Sequence, residues 1–368
     1  MGGLRLLAVL SLNIALLSAC AAAPPSPTAT PPTATAAPTQ PPAPTIAPTQ
    51  PPTPTPVPTQ PPAPTATTVV INGVAETRIA DAAAKTLTMG GYPDWLEVGF
   101  GSLWVSNPLL NAVQRIDLTS GEIITRVSVQ RPCAAMSIGF GSLWVASCED
   151  NEILRIDPQS NRVTARIWSP LATSESSISA GEGGIWLVSA PGGVLTRIDP
   201  ITNKVVASIK VKDRSSSAMA GFGAIWVTTA AGREQNGTVQ RVDPLSNRVV
   251  ATITVGFGPR FLAAGEGGVW VLNQFDGTVS RIDPKTNKVV ATIESGVVGD
   301  GGDIATGEGA VWVRGTGVLL VVIDPATNKV AKRFGPAQGS GAVRTGAGQV
   351  WISAHNVNRI WALNPSLK

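Results

Sequence analysis

The chain has 368 residues, 43% apolar and 14% charged, with 38 glycines, 31 prolines and a net charge of +4. That balance suits a β-rich globule with many turns. The mild positive charge is spread over turns without interleaved aromatic residues, which excludes nucleic acid as a partner.

The chain begins with Arg5, an apolar run over residues 6–17 and then Leu17-Ser18-Ala19-Cys20. A basic end, a short apolar core and small residues before a cut predict a secretory signal over residues 1–19. The ending also resembles the lipobox of bacterial lipoproteins. By that resemblance Cys20 becomes the lipidated first residue of an exported protein, tied to a membrane on its extracytoplasmic side. An ordinary signal peptide, cut with Cys20 left free, is the alternative. Residues 20–68 follow as a Pro/Thr-rich stalk, with Pro-Thr-Gln-Pro-Pro at 38, 48 and 58. Such composition builds no core and favours polyproline II, a reach on the order of 100 Å at ~3.1 Å per residue.

Beyond residue 69 a phrase of the form Gly-x-Gly-x-(Leu/Ile/Val)-Trp-(Val/Leu/Ile) recurs, with its tryptophans at 104, 144, 186, 226, 270, 312 and 351. A fixed period of about 40 residues marks one small unit repeated and stacked. The fifth copy shows its parts. Residues 261–264 make a first strand, 265–268 a turn, 269–272 a second strand with Trp270, 279–282 a third, and a fourth opens at 289. Four short β-branched strands joined by turns describe the blade of a β-propeller. The turn before each fourth strand reads Asp-Pro-x-(Ser/Thr)-Asn at 157, 199, 243, 283 and 324, with Asp117 to Gly121 as its first form. There Asp accepts a local N–H, Pro presets φ, and Asn or Gly takes the left-handed position.

The last copy stops after its third strand, near residue 363, while residues 78–89 align with the fourth strand of other copies. The expectation is therefore an all-β, seven-bladed propeller over residues 69–368, with four-stranded blades and an N-terminal strand completing the last one. About 290 residues in one closed ring make a single folding unit. Cys133 and Cys148 flank the hairpin of the second blade and fall opposite each other, which predicts a disulfide in an exported protein. Two separately buried thiols are the alternative.

In each blade both tight turns lie at one end, so the loops that vary lie at the other, the candidate binding face. That face offers Asp94, Trp95, Arg131, Arg260, Phe261, Asp300, Asp303 and His355 as ligand-binding candidates. Trp95 and Phe261 occupy matching positions, as do Asp94 and Arg260, so two blades present an aromatic beside opposite charges. The aromatics suit either a ligand or a cap on the core. His355 is the only histidine, and catalysis through it needs an orienting partner. Asp300-Gly301-Gly302-Asp303 offers too few oxygens for a cation cage, and no cysteine spacing suggests a metal. No metal and no cofactor are expected.

Leu103-Trp104-Val105-Ser106-Asn107 and residues 281–293 resemble the YVTN family of β-propeller repeats. Residues 258–270 are similar to the repeats of virginiamycin B lyase. The resemblance covers about residues 78–368 and implies the fold. It leaves function open, since such repeats serve surface proteins, cofactor-carrying propellers and lyases. The lyase family implies a metal with several histidines and carboxylates. His355 alone does not supply that set, and no haem attachment motif is present. The function expected is a lipid-anchored, monomeric binding module whose variable face takes an envelope protein, glycan or small ligand. A metal-dependent lyase or a cofactor-carrying propeller is the alternative.

Overall fold

The computed structural model describes residues 70, 71 and 73–365. The signal segment, Cys20 and the stalk lie outside the described residues.

Seven sheets stand in a ring. The first blade runs outward through Leu96–Gly99, Ser102–Asn107, Ala112–Asp117 and Ile123–Ser128, each strand antiparallel to the last. The innermost strands of the next six are Ser137–Gly139, Ile178–Gly181, Ser215–Gly221, Pro259–Gly265, Asp303–Gly307 and Val343–Gly346. Each meets its neighbour, and Val343–Gly346 meets Leu96–Gly99, so the ring is closed.

Closure uses the N-terminal strand. Ala83–Thr88 pairs antiparallel with Arg359–Leu363 and supplies the missing outer strand of the seventh blade. A further hairpin, Val70–Ile71 with Val74–Arg78, extends the sixth blade, and its second strand runs parallel to Lys329–Gly335. The repeat pattern gave no sign of this addition.

The turns take the shapes their residues dictate. Within Gly-x-Gly the middle and last residues both have positive φ, as in Phe100 (53°) and Gly101 (70°), which matches a tight hairpin whose twist follows the strands. In the other turn Asn161, Asn203, Asn247, Asn287 and Asn328 all sit between 55° and 58°. Each preceding aspartate accepts the N–H two residues on, as Asp199 does from Ile201 at 2.8 Å.

The core lies between blades. Second strands such as Ser102–Asn107 are buried at every position, whereas outer strands alternate between exposed and covered. The repeat tryptophans are fully buried, and six of the seven donate Nε1 to the glycine carbonyl five residues back, at 2.9–3.2 Å. In blades one to five an arginine of the third strand stacks on that tryptophan, 4.8–5.4 Å from the ring. The same guanidinium reaches the next blade: Arg281 donates to Pro325 O at 2.7 Å and Asn328 Oδ1 at 2.8 Å. These latches hold neighbouring blades together through buried aromatic contact and charge-assisted bonds.

Candidate functional site

The variable loops gather at one mouth of the ring, and two aromatics cover it. Trp95 enters just before the innermost strand of blade one, and Phe261 lies within that of blade five. Their rings meet at 5.4 Å, inclined by 56°. Blades one and five are not neighbours, so this contact spans the axis. Both side chains are only 2% exposed. They close the end of the core and leave no free ring face for stacking.

Around this plug stand ionisable groups that no repeat requires. Burial, then the nearby Glu175 and Asp303, push the Asp94 carboxyl up to about 7. Burial raises Glu175 as well, against the pull of Arg260. Asp303 is buried and also raised, although it accepts the N–H groups of Ile304 (2.9 Å) and Val343 (3.1 Å) and a bond from Arg344. Glu97 lies 3.6 Å from Arg344, yet burial outweighs that partner and lifts it to about 7. For Arg344 the two carboxylates overcome the cost of burial and keep its pKa raised.

A second group adjoins the first. Ser353 Oγ donates to Asp94 O at 2.5 Å, and Arg314 Nε donates to Ser353 O at 3.1 Å. Burial lowers Arg314 to about 9, and its Nη2 has no partner. His355 stacks on Tyr92 with centroids 4.1 Å apart, and its Nε2 lies 3.3 Å from the Tyr92 hydroxyl. Burial, then the charge of Arg314, lower His355 to about 4, so the ring is neutral at pH 7. Its Nδ1 is unpartnered. Buried polar atoms without partners cost stability unless something binds them.

The other sequence candidates are dispersed. Asp94 and Arg260 flank the aromatic pair but form no ion pair among the described residues. Instead Arg260 donates Nε and Nη2 to Glu175 O at 3.2 and 3.0 Å, with its guanidinium 5.9 Å from the Phe261 ring. Asp300 and Asp303 diverge: Asp300 is exposed, 3.9 Å from Arg233, while Asp303 turns inward to Arg344. Arg131 is exposed on left-handed backbone (φ 43°), its N–H bonded to Asn111 Oδ1. Cys133 and Cys148 are disulfide-bonded, with Cα atoms 6.0 Å apart. Among the described residues no group of three His, Cys, Asp or Glu side chains is placed to hold a metal ion.

Sequence reasoning missed Glu97 and Arg344. Each is a charge inside an innermost strand whose other residues are apolar or small, and that misfit was the available signal. Chemically, the mouth combines a carboxyl that exchanges its proton near neutrality, a neutral histidine, and unpaired donors on Arg314 and Trp95. Such a set holds a polar ligand by hydrogen bonds that switch with pH.

The architecture defines a seven-bladed β-propeller. No protein-family model matches the chain, and no curated protein matches it. Among solved structures it is similar to virginiamycin B lyase from Staphylococcus aureus, with TM-score 0.59 and 17% identity over 76% of this chain and 98% of that one. A streptogramin B lyase is similar at TM-score 0.60 and 16% identity, covering 76% and 96%. Kuenenia stuttgartiensis hydrazine synthase gives 0.58 and 14%, covering 77% and 98%. The chain is a virginiamycin B lyase-like β-propeller in fold, and at these identities the likeness is one of fold alone.

Proposed function

We propose that this propeller is a binding module that captures a ligand on its variable face, around the axial mouth. One observation carries the reading. Buried ionisable groups with displaced pKa values, and donors without partners, converge where the blades stop repeating one another. Packing asks for none of them, and such groups cluster where a protein meets a ligand.

The module acts as a monomer outside the cytoplasm, held by a lipid on Cys20 and displayed on the Pro/Thr-rich stalk. The sequence of residues 1–68 supports this placement, and the Cys133–Cys148 bond suits an oxidising compartment. The test is a thermal-shift series on the full chain with envelope glycans, envelope peptides, and cyclic lactones with divalent metal. A bound ligand at ~100-fold its dissociation constant adds ~2.7 kcal/mol, and Asp94→Asn should diminish that shift. A cooperative melt moved by none of these probes would sink the binding reading. A shift needing metal and lactone together would replace it with lyase chemistry. In bacterial cells that express the full chain, a labelled fatty acid should enter the wild type and not Cys20→Ser.

A further inference from the structure

Beside the axis, two clefts join into a groove across blades two to five. The first, about 150 Å³, holds Arg131, Ser147, Asn151 and Ser169. The second, about 240 Å³, holds Arg214, Arg260, Ser216 and Phe275. Thr173, in the loop leading to blade three, borders both. We propose that this groove binds an acidic oligosaccharide of the uronic acid type, its carboxylates on Arg214 and Arg260 and a sugar ring against Phe275. This rests on the reading of the variable face as a ligand-binding surface and names the ligand class.

Charge argues for the anion. No carboxylate lines the second cleft. In the first the single one, Glu152, is already paired with Arg166 at 3.0 Å. Arg260 is fixed in place by the Glu175 carbonyl through Nε and Nη2; the Glu175 and Asp300 carboxylates act on it through space, but neither bonds to it, and Nη1 is left for a ligand. Arg214 is held by one bond, Nη1 to Ala231 O at 3.3 Å, on left-handed backbone at φ 66°. Neither guanidinium forms a salt bridge among the described residues. Two braced guanidiniums at one cleft suit carboxylates, which accept paired N–H bonds.

The rest of the lining argues for a sugar over a peptide. Hydroxyl and amide groups, Ser147, Asn151, Ser169, Thr173, Ser216 and Gln274, line the two clefts among small apolar residues such as Ala146, Ala172 and Pro259. Such walls match a ligand that carries a hydroxyl on almost every carbon. Phe275 supplies an apolar ring, with Arg233 at 5.0 Å from its centroid. A half-buried aromatic ring in a polar groove can hold the apolar face of a sugar.

The deciding experiment titrates the full chain calorimetrically with an oligogalacturonate, a neutral glucan oligomer of equal length, and polyglutamate. The acidic sugar should bind, weaken with added salt, and lose about tenfold or more in affinity in Arg214→Ala and in Arg260→Ala. Neutral glucan and polyglutamate should bind far more weakly. Should Arg260→Ala fail to fold, the exposed Arg214 decides the matter. Equal binding of neutral glucan, tighter binding of polyglutamate, or affinity unchanged in Arg214→Ala each overturns the proposal while leaving a binding face intact. If none of the three binds but another probe shifts the melt, this inference falls and the wider reading stands. If nothing binds or shifts the protein at all, both fall.

Discussion

At the scale of single residues, Asp94 and His355 carry opposite signs of pH dependence. The Asp94 carboxyl rises from an ordinary 3.8 to about 7, so between those values the folded protein holds a proton that the unfolded chain gives up. Its contribution is present below about pH 4 and is lost as pH rises through about 7. His355 falls from 6.5 to about 4, so its contribution is present above about 6.5 and is lost as pH falls through about 4. Asp94→Asn should therefore leave stability near pH 3 almost unchanged and raise it near pH 8 by on the order of 1–3 kcal/mol. Urea melts at the two pH values measure this. Equal stability of variant and wild type at both would show that the carboxyl is not buried as described. Neither shift was legible from sequence, because the burial that dominates both and the neighbours that add to it, Glu175, Asp303 and Arg314, arise only when the ring closes.

At the scale of elements, the repeat made much of the fold readable. The tryptophan period fixed the blade count, and the Asp-Pro-x-(Ser/Thr)-Asn turn and the closing strand both followed from copies compared with one another. The recurring arginine two residues before each turn aspartate, Arg115 to Arg281, was equally periodic and went unassigned. Its purpose appears only with its partner in the next blade. The hairpin at 70–78 was not readable, since it lies outside the repeat and joins blade six in a parallel sense that no internal copy contains. The closing strand has its own latch: Lys85 Nζ donates to Leu118 O at 2.7 Å, in the turn of blade one. Lys85 thus stands in for the arginine that blade seven lacks, since Trp351 pairs with Ala362. Removing residues up to 82 should leave a ring that still unfolds cooperatively. Removing those up to 88 should abolish the single transition, because it strips both an outer strand and the seam between blades seven and one. Equal melts for the two truncations would show that closure does not depend on this strand.

At the scale of the whole molecule, the ring is latched unevenly. Five seams carry an arginine stacked on tryptophan and tied to the next turn, and the seam from blade seven to blade one carries Lys85. The seam from blade six to blade seven carries neither at its outer end; its ties lie at the inner strands, where Asp303 meets Arg344 and the Val343 N–H and where Arg314 Nε donates to Ser353 O. Val322 pairs with Trp312 where blades one to five have arginine, and after Leu363 the chain reads Asn364-Pro365 where their turns read Asp-Pro. A cavity of about 390 Å³ lies there, bounded by Ala310, Trp312, Val322 and Pro365. Local opening follows the places with fewest ties, so hydrogen exchange in the native state should be fastest, among third strands, at Leu320–Asp324. Protection there equal to that of Thr278–Asp283 in blade five would show that strand pairing and apolar contact hold the outer seam without a latch. In that case the latches would set the alignment of blades rather than their stability.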